Sequence, residues 1–404
     1  MQISRFRWWV AGMLAAATAL NYLDRQSLPV VIGEIQKEIP LTDRQFGQLQ
    51  SLFLLAYGIM YAVGGRIIDW LGTRLGYALM ILFWSAANFF QGTVHTVMGL
   101  GVFRFLLGAG EGGGFPGSAK AVAEWFPVRE RSFAFGIFNT GSSIGAVIAP
   151  PLIALIVLQL NWRWVFFITG GLGIVWAMFW LRYYQSPSAP GSTPTAGTRV
   201  KVRWIHLLRY RQVWGLIIAK FLSDSAWFFF IFWLPKYLSD VRHLNIKEIG
   251  YYAWVPYAFA GLGSFAGGGL SGILLRYRFS LDHARKISLG ISAALMPVSL
   301  LIVSSPLNWA IVFFSTAMFA HQFWSTIMQT LAADLFPSNV VGSVAGLMGA
   351  AGSFGAMLFS FIAGSIIADY GYARVFLIAG LVHPISFIVL LAVVRRIEEL
   401  ISPG

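Results

Sequence analysis

Charged side chains stand inside otherwise apolar stretches of this sequence. They form three pairs: Asp24 with Arg25, Arg104 with Glu111, and Lys220 with Asp224. A charge at the centre of a membrane helix costs about 2.5–3.5 kcal/mol, so each needs a partner or a task. Carboxyl groups in apolar surroundings can bind and release protons, because burial favours the neutral acid. Arginine keeps its charge and offers a planar fork of N–H donors that suits a carboxylate. The pairs therefore predict proton carriage and anion binding.

Arg104, Gly108 and Glu111 are spaced i, i+4 and i+7, which places them on one face of a helix. Seven residues span about 10.5 Å of helical rise, too far for Arg104 and Glu111 to be simply each other's ion pair. We expect Arg104 to pair with the first helix. The glycine between them leaves room for a neighbouring backbone or a ligand.

We assign proton coupling to Asp24 and Glu111, and we assign the substrate carboxylate to Arg25. The alternative is a set of permanent ion pairs that hold helices together. Lys220 and Asp224 are spaced i, i+4 and can satisfy each other, so Lys220 is a weaker candidate for a second substrate contact.

Uncharged polar residues in other apolar segments are candidates to bind hydroxyl groups of a substrate. Each could equally hydrogen-bond a neighbouring helix, and His321 could be a buried histidine satisfied by a neighbour. These candidates are Tyr57, Asn139, Ser142, Ser143, His321 and Gln322.

The elements that must position these residues are transmembrane helices. Of 404 residues, 57% are hydrophobic and 11% are charged, against about 25% charged in soluble proteins. The apolar runs are long enough to cross a bilayer. There is no cysteine, and we expect no cofactor or metal site. The fold class is an all-α membrane protein with about twelve helices. We predict them at 8–30, 44–70, 74–93, 97–125, 131–158, 162–184, 210–238, 247–275, 285–304, 308–334, 340–368 and 372–394.

The net charge of +13 is distributed by topology. With these helices, one side of the membrane holds 19 of the 29 lysines and arginines and the other side holds 7. The positive-inside rule then places both termini in the cytoplasm, in a cell (inner) membrane. The partners expected are the lipid bilayer, protons and a small organic anion, with no nucleic acid, and the protein is expected to be a monomer.

The chain divides into two halves. Residues 185–208 are rich in Pro, Gly, Ser and Thr, which is linker composition, and they separate bundles of six helices at 1–184 and 209–404. An offset of 210 residues aligns Phe126-Pro127 with Phe336-Pro337 and Glu111 with His321, without a gap. Chance matching of apolar segments is the alternative, but duplication of a six-helix unit explains the shared Pro and Gly positions better.

A glycine-rich segment between the second and third helices has candidate gating residues at Gly65, Asp69, Gly72 and Arg74. It resembles the signature of the major facilitator superfamily; a plain loop is the alternative. The counterpart in the second half, Gly268–Gly272, keeps glycines and lacks the acid. We therefore expect the stronger ion pair of this face in the first half.

Longer stretches resemble the anion:cation symporters of that superfamily: Asn21–Arg25, Arg104–Pro127 and Gly136–Ala146. Within this group, Ala219–Asp224 and Phe232–Lys236 are similar to the hexuronate transporters. The resemblance implies two six-helix bundles and proton-coupled import, by alternating access, of a sugar acid such as galacturonate, glucuronate or an aldonate. It implies that the acids at 24 and 111 are protonation sites, that the base at 25 binds substrate, and that the base at 104 pairs with the acid of the first helix.

Other functions remain open at this stage. Wider members of the group move glutamate, phosphate or aromatic acids, so another organic anion is the first alternative. A drug exporter of the same fold is disfavoured by the buried arginines. A channel is disfavoured by the two-fold repeat. A membrane enzyme is disfavoured because Gly108–Gly114 lacks the Lys-Ser/Thr and the preceding strand of a phosphate loop.

Overall fold

The apolar runs are helical in the computed structural model, which describes residues 3–185, 207–336 and 338–398. In these ranges the chain forms fourteen α-helices, one 3-10 helix and no β-strand, so the all-α class is confirmed. The helices are α1 Ile3–Glu38, α2 Asp43–Leu71, α3 Thr73–Gln91, α4 Val97–Glu111, α5 Gly114–Trp125, α6 Val128–Gln159, α7 Trp162–Tyr183, α8 Arg211–Asp240, α9 Ile246–Tyr252, α10 Trp254–Arg276, α11 Leu281–Leu295, the 3-10 helix Met296–Leu301, α12 Leu307–Leu335, α13 Ser338–Tyr370 and α14 Tyr372–Val394.

Polar residues cap the helices where the chain leaves its apolar segments. Thr42 accepts a hydrogen bond from the Gln45 backbone, and Gln45 bonds back to Thr42. Asn245 and Glu248 form the same reciprocal arrangement at the start of α9. These caps satisfy backbone N–H groups that have no partner inside the helix.

Three predicted helices are interrupted, which corrects the sequence-based boundaries. The predicted helix 97–125 breaks between α4 and α5, and 247–275 breaks between α9 and α10. The predicted helix 285–304 starts earlier, at Leu281, and becomes a 3-10 helix at Met296. Pro116, Pro256 and Pro297 lie just after these interruptions. A proline cannot donate to the carbonyl four residues before it and clashes with that carbonyl, which explains the breaks.

The first helix is longer than predicted. The apolar run indicated 8–30, whereas α1 spans 36 residues and continues through Pro29 to Glu38. Tertiary packing thus extends a helix beyond its apolar run, as local propensity is only a weak guide to helix ends.

Helix boundaries repeat with the offset found in the sequence. α4, α6 and α7 begin at residues 97, 128 and 162, and α12, α13 and α14 begin 210 residues later at 307, 338 and 372. The start positions therefore agree with an internal duplication of this part of the chain.

Among the described residues, eight helical segments are long and apolar enough to span a membrane. The chain divides into two compact units. The first, which we call unit 1, comprises 1–188 and 231–255; the second, unit 2, comprises 189–230 and 256–404. Most of the predicted linker 185–208 lies outside the described residues, and the division into two bundles of six helices stays a prediction.

Candidate substrate and proton site

A buried ion pair joins α1 to α4 in unit 1. The Arg25 Nε and Nη2 atoms donate to Glu111 Oε2 at 3.0 and 2.9 Å, and both side chains are almost completely buried. Arg25 also donates to Asn21 Oδ1 at 3.0 Å. The expectation that Arg25 lacks a neutralising carboxylate is therefore wrong, because the acid comes from a different helix and its proximity cannot be read from local spacing.

Aromatic rings surround the Arg25 guanidinium. Its central carbon lies 4.8 Å from the Tyr22 ring centroid, 4.9 Å from Tyr57 and 5.5 Å from Phe53. Such rings attract a cation through their faces and exclude water, which strengthens the remaining electrostatic contacts. Tyr57, a predicted site residue, thus lies beside the predicted anion clamp.

Arg104 differs from Arg25 in its partners. Its Nη2 atom donates to the Arg25 carbonyl oxygen at 3.0 Å and to Gln50 Oε1 at 2.8 Å. Within the described part of the chain its Nε and Nη1 atoms, both buried, have no hydrogen-bond partner. Arg104 does contact the first helix, but through a backbone carbonyl and not through Asp24, so the predicted pairing with the helix acid is wrong.

Gly108 explains how α4 comes so close to α2. A Cβ atom at this position would lie 2.2 Å from the Phe53 carbonyl oxygen, a distance that no side chain allows. The space left by the glycine on this face of α4 is therefore filled by a neighbouring backbone. The close packing brings the α2 residues Gln50 and Phe53 next to Arg104.

Asp24 points to a different set of partners from its neighbour Arg25. The Asn88 side-chain nitrogen donates to Asp24 Oδ1 at 2.7 Å and to Thr169 Oγ1 at 2.7 Å. Gln91 Nε2 in turn donates to Asn88 Oδ1 at 3.1 Å. All four side chains are fully buried. Asp24 and Glu111 thus occupy two distinct polar environments in the same unit.

The predicted hydroxyl-binding residues of α6 lie in partly open positions. Asn139 is exposed, and Ser142 and Ser143 are half-buried. The Ser142 hydroxyl donates to the Asn139 carbonyl oxygen at 2.6 Å, a bond within the helix. The structure does not bring these three residues into a hydrogen bond with the charged cluster.

Unit 2 contains the other predicted polar residues. Lys220 Nζ pairs with Asp224 Oδ1 at 2.9 Å, as their spacing indicated. His321 Nδ1 and His383 Nε2 lie 3.1 Å apart, and the His321 ring stacks on Trp227 with centroids 4.9 Å apart. Gln322 is half-buried. His321 therefore has a neighbour that satisfies it, which is the alternative its sequence position left open.

The predicted gating residues lie around the turn between α2 and α3. Gly72 has φ of +76°, a conformation that favours glycine. Asp69 pairs with Lys120 Nζ at 2.9 Å, and Arg74 Nε donates to the Leu181 carbonyl oxygen at 3.2 Å. A Cβ at Gly65 would meet only ordinary contact, 3.7 Å from Pro116 Cβ, so helix packing alone does not require this glycine.

The corresponding face of unit 2 has the more buried ion pair. Arg285 donates to both carboxylate oxygens of Asp334, at 2.7 and 3.3 Å, and to the Ser271 hydroxyl at 2.6 Å. The side chains are 13% and 16% exposed, against 25% and 60% for Lys120 and Asp69. The expectation of a stronger pair in the first half is wrong, because the acid of the second half comes from the end of α12.

Sequence reasoning missed several residues of the unit 1 cluster. Their common signal is a polar or aromatic side chain in an apolar helix, which is too frequent to select them. Asn21 and Tyr22 precede the Asp24-Arg25 pair directly and were the easiest to find. The missed residues are Asn21, Tyr22, Gln50, Asn88 and Thr169 in unit 1, with Trp227 and His383 in unit 2.

A helical membrane protein with buried charges between its helices is the architecture of a transporter, and comparison with known proteins agrees. Residues 14–358 match the model of the Major Facilitator Superfamily, so the chain belongs to this family of transporters. It is a multi-pass membrane transporter and not an enzyme.

Individual relatives sharpen this placement. The chain is 31% identical to the hexuronate transporter of Escherichia coli strain K12, over 98% of this chain and 95% of the relative. It is 34% identical to the galacturonate transporter of Dickeya chrysanthemi, over 73% of this chain and 90% of the relative. The predicted resemblance to sugar-acid transporters is therefore confirmed.

Solved structures support the fold. A bacterial homolog of the human lysosomal transporter Spinster, inward-facing and unoccupied, gives a TM-score of 0.80 at 19% identity over 99% of both chains. The inward-open xylose transporter XylE from E. coli gives 0.74 at 14% identity over 96% of this chain and 97% of that chain. At such identities the likeness concerns the fold alone.

Proposed function

We propose that this protein is a proton-coupled symporter that imports a sugar acid anion, a hexuronate such as galacturonate or glucuronate, or an aldonate. The names of its relatives support the substrate class: hexuronate, galacturonate and, at 29% identity over 97% of both chains, D-galactonate. The Arg25 guanidinium supports an anionic substrate, since it matches a carboxylate with two parallel N–H donors.

The contact between Arg25 and Glu111 is the observation that carries the proposal. Glu111 Oε2 accepts both hydrogen bonds that a substrate carboxylate would accept from Arg25. Removing one member of a buried ion pair costs about 3–5 kcal/mol, because the other charge is left uncompensated. Protonation of Glu111 and arrival of an anion at Arg25 are therefore favourable together and unfavourable separately. This linkage is what couples a proton to a carboxylate substrate.

Asp24 supplies a second proton in this mechanism. It lies beside Arg25 in sequence but is hydrogen-bonded to Asn88, so its proton is not exchanged for the substrate at the same guanidinium. Two protons carried with a monoanion would move one net positive charge inward. Asp24 and Glu111 thus make transport depend on both the pH gradient and the membrane potential.

Other residues are proposed for binding the rest of the substrate. Arg104 has buried donors without a partner among the described residues, which suits an acceptor group of the sugar acid. Tyr57 borders the Arg25 guanidinium and offers a ring and a hydroxyl group. Substrate contacts of the remaining predicted residues stay predictions: Asn139, Ser142, Ser143, Lys220, His321 and Gln322. Gating by Gly65, Asp69, Gly72 and Arg74 also stays a prediction.

The proposed setting is the inner membrane of the cell, with both termini in the cytoplasm and the protein acting as a monomer. The excess of lysine and arginine on one side of the predicted helices supports this orientation.

Uptake of labelled sugar acids into liposomes that contain the purified protein tests the proposal. We expect galacturonate, glucuronate or an aldonate to accumulate when the outside is more acidic than the inside, and not when a protonophore is added. Glutamate, an aromatic acid and phosphate serve as competitors. Accumulation of one of these in place of every sugar acid would contradict the substrate class, and uptake that ignores the pH gradient would contradict proton coupling.

A further inference from the structure

The amide group of Asn88 is placed to control Asp24. One side-chain nitrogen serves two acceptors, Asp24 Oδ1 and Thr169 Oγ1, each at 2.7 Å. It thereby links α1 to α7 through a residue of α3. Asn88 does not lie among the contacts of Arg25 with Glu111, which are made with α4.

Gln91 fixes the direction in which Asn88 points. Its Nε2 atom donates to Asn88 Oδ1 at 3.1 Å, so the oxygen end of the Asn88 amide is occupied by a donor. The nitrogen end must then face Asp24 and Thr169. Gln91 is one helical turn after Asn88 on α3, and both are fully buried.

The charged surroundings of Asp24 do not provide the same control. Arg25 on the same helix bonds to Glu111 and Asn21, and Glu111 on α4 is itself an acid. Arg104 of α4 donates to the Arg25 carbonyl and to Gln50. From α3 and α7, the neutral groups Asn88 and Thr169 face Asp24, and α6 meets α1 through Gly141 and Gly145.

We propose that Asn88, oriented by Gln91, is a positioning residue that stabilises the ionised form of Asp24 and so sets the pH range over which transport is coupled. The inference rests on the proposed role of Asp24 as a proton site. A hydrogen bond donated to a carboxylate favours its charged form. The amide therefore helps Asp24 to give up its proton after each transport cycle.

The test is the pH dependence of initial uptake in liposomes that contain the full-length protein, with galacturonate as the probe. In Asn88→Leu the donor is lost at similar side-chain volume, so Asp24 keeps its proton more readily. We expect half-maximal uptake to move to higher pH by about one unit. Gln91→Leu leaves Asn88 in place but removes its orientation, and we expect a smaller shift in the same direction.

A matched control lies on the same helix. Tyr77 of α3 hydrogen-bonds Ser118 at 2.8 Å in a buried contact away from Asp24. Tyr77→Phe removes one buried hydrogen bond, as the test variants do, and should leave the pH profile as in the wild type. If Asn88→Leu does not fold, Gln91→Leu with this control decides the matter.

Asp24→Asn separates failure of this inference from failure of the proposed function. If Asp24→Asn loses coupled uptake while Asn88→Leu and Gln91→Leu keep the wild-type pH profile, Asn88 has no positioning role and the inference is overturned. If Asp24→Asn itself keeps the wild-type pH profile, Asp24 is not the proton site, and both ideas fail together. In an Asp24→Asn background, Asn88→Leu should cause no further change in the pH dependence of substrate counterflow.

Discussion

The helices α4 and α12 start 210 residues apart and share a packing arrangement, but they differ in chemistry. In unit 1, the close contact is made by Gly108 of α4, whose Cβ would lie 2.2 Å from the Phe53 carbonyl oxygen of α2. In unit 2, Gly263 of α10 takes that part, with a Cβ that would lie 2.2 Å from the Phe319 carbonyl oxygen of α12. Gly263 stands 210 residues after Phe53.

The glycine has thus changed sides while the close contact was kept. The residues that flank it changed as well. Positions 104 and 111 hold Arg and Glu, and the positions 210 residues later hold Phe314 and His321. The first region is ionic, whereas His321 contacts a second histidine and a tryptophan ring. Packing geometry was therefore conserved independently of charge, and we expect proton coupling to reside in the first region.

Glu111→Gln should give the largest effect, loss of uphill transport and of substrate-induced current. Glutamine mimics the protonated acid and cannot release a proton, so exchange of substrate across the membrane should remain measurable as counterflow. Asp224→Asn in unit 2 is the matched acid variant and should retain proton-driven accumulation. If the two variants behave alike, the proposed contrast between the regions is wrong.

The membrane potential should have the next largest effect on wild-type transport. With two protons per monoanion, an inside-negative potential contributes about 2.3 kcal/mol per 100 mV, a roughly 45-fold change in the accumulation limit. A potassium gradient with valinomycin sets this potential in liposomes. Accumulation that does not respond to it would exclude two-proton coupling for a monoanion and would leave only one of Asp24 and Glu111 as a carrier.

Arg25→Lys should weaken substrate binding by about 1.4 kcal/mol or more, tenfold in Kd, because lysine keeps the charge and loses the planar pair of donors. Equilibrium binding to the purified protein measures this change. Lys220→Arg in unit 2 is the reciprocal control and should have a smaller effect. Wild-type affinity in Arg25→Ala would remove Arg25 from the binding site.

His321→Gln should have the smallest effect and keep proton-driven accumulation. The pair of histidines is satisfied internally, and the acids of unit 1 already account for coupling. The measurement is the accumulation ratio with and without a pH gradient. A variant that transports only down the substrate gradient would show that the assignment to Asp24 and Glu111 is incomplete.

The sequence by itself determined the class of the molecule and much of its helical framework. Long apolar runs with few charges leave the backbone no alternative to helices in a bilayer, since every N–H and C=O must be satisfied internally. The offset of 210 residues predicted where α12, α13 and α14 begin. The i, i+4 spacing of Lys220 and Asp224 predicted their ion pair, because such residues are neighbours on any helix.

Only the tertiary structure decided which buried charges meet. Arg25 and Glu111 are 86 residues apart, and their contact depends on how α1 and α4 pack. The same packing gives Arg104 a backbone carbonyl and Gln50 as partners, and it brings Asn88 to Asp24. Local spacing specifies the face of a helix on which a side chain lies. The partner across that face is set by interhelical packing, which no single segment contains.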